Sequence, residues 1–311
     1  MCCLFGIIDY RNSLKSKQKN RMLGILAAAS EDRGTDATGI AYNTGGKLHI
    51  YKRPRPAHCL RFHVPERTRV IMGHTRMATQ GSELKNYNNH PFQGHTREGP
   101  FALAHNGILY NDKALRLSLD LPESKIETDS FIAVELLEQK GTLNFSALRY
   151  VAETIEGSFC LSILDSRDNL YLVKGDNPLC LYHFPKLGLY LYASTEPILR
   201  KALCGMGLSG REHNVIPLEC GEILRISPAG NLEREEFNDS HLFFSRWLEP
   251  WLPRSYGNSH RAQILEKPDP YLEEIKRVSF AFGYTPEAIE HLAAIGFSAE
   301  ELENLLYEGG I

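Results

Sequence analysis

Cys2-Cys3-Leu4-Phe5-Gly6-Ile7-Ile8 places an apolar run of strand length directly behind a cysteine in second position. Such a run reads as a buried strand, Leu4 to Ile8, with Cys2 at its leading end. Initiator methionine is usually removed before a small side chain, which would give Cys2 a free α-amine. That amine has a reference pKa of about 7.7 to 8.0, so much of it is neutral near physiological pH. One residue then holds both a thiol nucleophile and a base able to take its proton. On this stretch alone, an ordinary buried cysteine starting an edge strand carries more weight.

Outward from this stretch, residues 17 to 30 suit a helix, with Met22, Leu23, Ile25 and Leu26 forming an apolar stripe. Ala37 to Tyr42 and Lys47 to Arg53 read as strands around the hairpin turn Asn43-Thr44-Gly45-Gly46. Thr68 to His74 is a β-rich run leading to Arg76, and Phe101 to Ala104 is another, ending at His105-Asn106-Gly107. Thr128 and Asn144 are candidate caps for two following helices. Strands follow at Phe159 to Leu164, Leu170 to Val173, Leu179 to Tyr182 and Leu189 to Tyr192, then a helix at Glu196 to Leu203 and a strand at Gly221 to Ile226. Periodicity alone gives an α+β class, with strands clustered at both ends and helices between.

Five short segments carry polar residues in register with these elements: Arg33-Gly34-Thr35-Asp36-Ala37-Thr38-Gly39, Gly73-His74-Thr75-Arg76-Met77-Ala78-Thr79-Gln80-Gly81, Asn89-His90-Pro91, His105-Asn106-Gly107 and Glu127-Thr128-Asp129. Any one is weak as a signal. In this order and spacing they resemble the class II glutamine amidotransferase domain, an N-terminal-nucleophile hydrolase, most of all the glutaminase domain of glucosamine-6-phosphate synthase. The likeness runs from Cys2 to about residue 228. It implies a four-layer αββα sandwich and hydrolysis of the side-chain amide of L-glutamine to glutamate and ammonia through a Cys2 thioester.

The resemblance assigns the site residue by residue. Cys2 is the nucleophile, and the Asn106 side-chain amide with the Gly107 backbone N–H forms the oxyanion hole, where donors fixed in advance stabilise developing charge best. Without the likeness, Asn106-Gly107 would read as a turn. Arg76 matches the fork that grips the substrate α-carboxylate, Thr79 supports that end, and Asp129 pairs with the α-ammonium. Arg33 and Gly34 brace the nucleophile, the glycine allowing close backbone approach. His74, His90 and His105 are expected to be satisfied structural histidines. Met77 stands where the family carries tryptophan, Gln80 where it has histidine, and Cys3 where glycine or serine is commoner. These departures bear on substrate closure and ammonia retention.

Composition narrows the remaining classes. The 311 residues are 42% hydrophobic and 23% charged with a net charge of -3, an ordinary globular balance without general attraction to nucleic acid or an anionic membrane. No 18-residue apolar run or basic-then-apolar leader is evident, so a cytoplasmic protein is expected. Seven cysteines without paired spacing argue against a disulfide framework. His58-Cys59 with His63 lacks a fourth ligand, so no metal and no cofactor are expected. Vicinal Cys2-Cys3 lacks a polybasic second signal for lipid attachment.

The organisation expected is a domain over 1–240, a linker over 241–267 holding Trp247 and Trp251, and a helical cap or docking segment over 268–311. Helices are predicted at Tyr271 to Phe282, Pro286 to Ile295 and Ser298 to Tyr307, the last two faintly similar to ubiquitin-associated modules. About eighty residues are few for a second catalytic domain, which favours a separate ammonia-accepting synthase as partner. A stand-alone hydrolase of another γ-glutamyl amide and a non-catalytic glutamine-binding protein are the alternatives.

Overall fold

The computed structural model describes residues 2–240 and 242, residues 286–294, and positions 272, 275, 276, 279, 302 and 306. The chain divides into two compact units, Met1–Leu252 and Pro253–Ile311.

In the first unit the elements run β1 (Cys3–Asp9), α1 (Ser16–Ser30), β2 (Ala37–Thr44), β3 (Lys47–Arg53), β4 (Val70–Arg76), β5 (Phe92–Thr96), β6 (Gly99–Leu109), α2 (Asp112–Ser118), α3 (Phe131–Lys140) and α4 (Phe145–Thr154). They continue with β7 (Gly157–Leu164), β8 (Leu170–Lys174), β9 (Cys180–Phe184), β10 (Leu189–Ala193), α5 (Glu196–Met206), β11 (Asn214–Ile216), β12 (Glu222–Ile226) and β13 (Leu232–Glu236). Two antiparallel sheets result, ordered β11-β9-β10-β1-β4-β2-β3 and β13-β12-β8-β7-β6-β5. β1 is therefore an interior strand, not an edge, hydrogen-bonded on both sides to β10 and β4.

Strand alternation builds the layers. Successive side chains of a strand point to opposite faces. Phe5 and Ile7 of β1 join the core with Leu23 and Leu26 of α1 and Leu199 of α5, while Leu4 and Ile8 face the second sheet with Ala104, Leu164 and Leu172. On that second sheet, Phe159, Leu161 and Ile163 turn outward to Ile132 and Leu136 of α3 and Leu148 and Val151 of α4. Three apolar interfaces thus separate four layers, the αββα sandwich expected from the family likeness. Asn144 accepts the backbone N–H of Ala147 at 2.9 Å and caps α4 as read.

Two local expectations need correction. The run starting at Phe101 does not stop before His105-Asn106-Gly107; β6 continues through them to Leu109, paired with β7. Thr128 does not cap α3, which begins at Phe131 behind Ser130; its hydroxyl finds no partner within the protein.

In the second unit, Pro286–Ala294 forms α6. Ile275, Ile289, Leu292, Leu302 and Leu306 are buried, and Lys276 Nζ lies 3.0 Å from Glu290 Oε1. The rest of the predicted helices over 271–282 and 298–307, and the 241–267 segment apart from Leu242, lie outside the described residues. Among the described residues no helix is long and apolar enough to cross a membrane.

Candidate active site

Strand register brings the first components together. β1 and β4 pair Cys3 with Thr75 and Leu4 with His74, so Cys2 and Arg76 are the next facing pair at the end of the ladder. Opposed residues in an antiparallel pair project to one face; here it is the face that Leu4 turns to the second sheet. From that sheet, β6 sends Ala102, Ala104 and then Asn106 toward the same interior. A pocket opens there, lined by Cys2, Arg76, Thr79, Gly107 and Asp129 among others. Asn106, Arg33 and Gly34 are not among its lining residues.

The Cys2 thiol contacts the Met77 carbonyl at 3.5 Å. Burial pushes the thiol up from its ordinary pKa, offset only partly by the Met77 carbonyl contact and the Arg76 charge. A standing thiolate is therefore disfavoured, and attack requires a base at the moment of reaction. Arg33 Nε donates to the Cys2 carbonyl at 2.8 Å, fixing the backbone that carries the α-nitrogen. A Cβ on Gly34 would lie 2.4 Å from the Arg76 carbonyl carbon and 2.6 Å from Met77 N, so only glycine lets this segment lie against the Cys2-contacting loop.

Arg76 is 3% exposed, and its guanidinium donates to Asn89 Oδ1 (2.7 Å), the Gln80 carbonyl (2.6 Å) and the Gly81 carbonyl (2.9 Å). These bonds orient the fork and leave two of its five N–H groups for a ligand. Asp36 accepts Ala78 N–H at 2.7 Å and gives its own N–H to the Arg76 carbonyl at 3.0 Å, holding the loop after β4. Met77 and Gln80 thus act here through their carbonyls, which any side chain supplies. Thr79 is exposed at the rim.

At the opposite wall, Asp129 accepts Leu109 N–H at 2.7 Å through Oδ2 and the Ser130 hydroxyl at 3.2 Å through Oδ1. Ser130 has one proton, so when it serves Asp129, His105 Nδ1 must be the N–H donor to Ser130 Oγ at 2.8 Å. Gly107 has φ +148°, and a Cβ there would meet the Ser158 carbonyl at 1.8 Å. Glycine is thus sterically required at this position. Asn106 is 1% exposed, and its Nδ2 has no hydrogen-bond partner.

The histidines divide. His74 gives Nε2–H to the His105 carbonyl at 3.0 Å, tying the sheets together, and burial holds its pKa down to about 3. His105 meets Ser130 Oγ at Nδ1 and faces the Ser158 carbonyl at 3.4 Å from Nε2, and its pKa is also depressed by burial. His90 is not the satisfied histidine expected: both ring nitrogens are buried without partners. Sequence reasoning passed over Lys52, whose ammonium donates to the Asn89 (2.5 Å) and Pro91 (3.1 Å) carbonyls with its pKa lowered to about 8 by burial and Arg76. It lies outside the motifs, and only the pairing of β3 with β2, which sets it opposite Gly39 at the end of one, brings it to the site. His58 is engaged by Glu31 at 2.9 Å, and no metal-binding group of three or more acidic, His or Cys residues occurs among the described residues.

Residues 74–201 match the model of a glutamine amidotransferase domain. The glutamine--fructose-6-phosphate aminotransferase of Sulfurisphaera tokodaii is 32% identical over 191 residues, covering 58% of this chain and 31% of the relative. That of Halalkalibacterium halodurans is 32% identical over 157 residues, covering 48% of this chain and 26% of the relative. The matched region thus spans about a third or less of these relatives' length. The solved glutamine phosphoribosylpyrophosphate amidotransferase of B. subtilis superposes with a TM-score of 0.58 at 21% identity, over 76% of this chain and 49% of that one.

Proposed function

We propose that this chain, which carries a class II glutamine amidotransferase domain of N-terminal-nucleophile fold, hydrolyses L-glutamine to glutamate and ammonia with Cys2 as nucleophile. The observation that carries the reading is one pocket holding Cys2, Arg76, Gly107 and Asp129 together, with the unpartnered amide of Asn106 next to Gly107 on β6. After loss of Met1, the α-amine of Cys2 takes the thiol proton as Sγ attacks the side-chain carbonyl carbon. The oxyanion is received by Asn106 Nδ2 and Gly107 N–H. Collapse breaks the C–N bond, and the amine returns its proton to the departing nitrogen as ammonia. Water then adds to the thioester, releasing glutamate and restoring the thiol.

Arg76 with Thr79 holds the α-carboxylate and Asp129 the α-ammonium, so opposed charges select an amino acid. Arg33 and Gly34 hold the nucleophile's backbone. The ammonia goes to a separate acceptor enzyme, a reading supported by the aminotransferase and amidotransferase names of the relatives. In this reading residues 1–240 form the glutaminase domain, 241–267 link it, and 268–311 dock the acceptor. The purified protein should release ammonia and glutamate in equal amounts from L-glutamine; release without Cys2, or none with it, contradicts the assignment.

A further inference from the structure

Buried polar atoms are ordinarily paired, because an unmet one has given up its water without gaining a partner. Among the described residues, eight buried side-chain nitrogen or oxygen atoms have no partner. Four of them belong to three residues at the pocket: His90 Nδ1, His90 Nε2, Thr128 Oγ1 and Asn106 Nδ2. Asn106 is accounted for by the oxyanion. His90 and Thr128 line the pocket, are 4% and 3% exposed, and have no role in the chemistry above.

Their neighbours say what each would meet. Thr128 directly precedes Asp129, on the wall that receives an ammonium. His90 directly follows Asn89, the residue that grips Arg76 Nη1, and its ring lies tilted between those of His74 (4.2 Å) and Phe92 (4.4 Å). Burial, with His74, His105, Arg76 and Lys52 all opposing a positive charge, keeps His90 neutral. A neutral imidazole always carries one N–H, and with neither nitrogen committed it can present that donor to a carboxylate. An ammonium offers three N–H groups, more than Asp129 alone can accept in good geometry.

We propose that the amino-acid clamp has four arms: Thr128 Oγ1 accepts from the substrate α-ammonium beside Asp129, and His90 donates to the α-carboxylate beside Arg76. This rests on the glutaminase reading for the substrate's identity but not for the clamp itself.

The test compares Thr128→Val, Thr128→Ser, His90→Phe and His90→Gln on L-glutamine, on glutaramate, which lacks the α-amine, and on 4-aminobutanamide, which lacks the α-carboxylate. Thr128→Val should raise the glutamine KM about tenfold with kcat little changed. Its kcat/KM should fall similarly on 4-aminobutanamide and stay level on glutaramate, and Thr128→Ser should restore glutamine binding. His90→Phe should show the mirror pattern, losing on glutamine and glutaramate but not on 4-aminobutanamide, with His90→Gln intermediate. Equal losses on all three substrates, or none on any, would overturn the proposal in favour of a packing role. If the wild type releases no ammonia, the glutaminase reading fails by itself. Calorimetric L-glutamate binding then decides the clamp: about tenfold weakening in Thr128→Val and His90→Phe upholds it, and unchanged binding refutes it.

Discussion

β1 carries buried polar groups at both ends, and the two ends satisfy them differently. At the far end Asp9 and Lys19 are completely buried 3.4 Å apart. Asp9 also accepts the backbone N–H groups of Ser13 (2.9 Å) and Leu14 (3.0 Å), and Lys19 donates to the Glu66 (2.7 Å) and Thr68 carbonyls. The chain itself supplies the partners of both charged side chains. At the leading end, beside Cys2, the buried atoms of His90, Asn106 and Thr128 are unmet. Burial of a titratable group therefore does not by itself mark function. The Asp9–Lys19 cluster is closed on itself and holds the sandwich together, whereas the open one beside Cys2 is where the glutaminase reading puts its ligand.

That contrast breaks most sharply under substitution at Cys2. Cys2→Ala should lower ammonia release on the order of a thousandfold or more while leaving the melting temperature essentially unchanged. Cys3 packs into the outer core rather than the pocket, so Cys3→Ala should keep most activity per folded molecule. Equal losses from the two would remove the distinction. The other end should behave inversely. Asp9→Ala leaves Lys19 buried and unpaired, which costs about 3 to 5 kcal/mol in denaturant unfolding, yet kcat/KM of the remaining folded enzyme should hold. Arg76→Ala lies between these cases: its lost charge-assisted bonds should raise the glutamine concentration for half-saturation more than tenfold, together with some destabilisation from freeing Asn89.

The smallest expected effect is a pH signature. Glu135 on α3 is buried, with Oε1 on Arg116 at 3.0 Å and Oε2 unmet, and burial raises its pKa to about 7. A carboxyl raised in the folded state binds more protons folded than unfolded between about pH 4.5 and 7. Its contribution to stability is accordingly lost as pH rises through that window. His74, lowered to about 3, has the opposite sign: the unfolded state binds more protons below about pH 6.5, so stability is lost on acidification. Glu135→Gln should thus gain melting temperature relative to wild type at pH 8 compared with pH 5. A difference independent of pH would show that Glu135 is not titrating there.

The sequence made the interior of the sandwich legible, and the edges much less so. β1, β7, β8 and β10 are mostly apolar and paired on both sides. β5, β11 and β13 lie at sheet edges; Gln93, His95 and Glu233 to Glu236 are exposed there, so no apolar run announces a strand. Asn106-Gly107 has the composition of a turn, and only pairing with Cys160 and Phe159 shows it continuing a strand. Within the pocket, the motifs named the residues but not their bonding. Thr128 has the residue type and position of a helix cap, and only the start of α3 at Phe131 shows that its hydroxyl is spare. Nothing in Asn89-His90-Pro91 reveals that one histidine of three lacks partners, since this depends on which rings and carbonyls the other sheet brings against it.

The central claim is that Cys2, freed of Met1, is the nucleophile of a glutamine-selective site. It is tested most directly by reacting the purified protein with a glutamine analogue bearing an electrophilic side chain, then mapping the product by mass spectrometry. The account predicts one adduct, on a terminal peptide beginning at Cys2, prevented by excess L-glutamine. An adduct on another cysteine, labelling of a chain that retains Met1, or labelling indifferent to L-glutamine would contradict it.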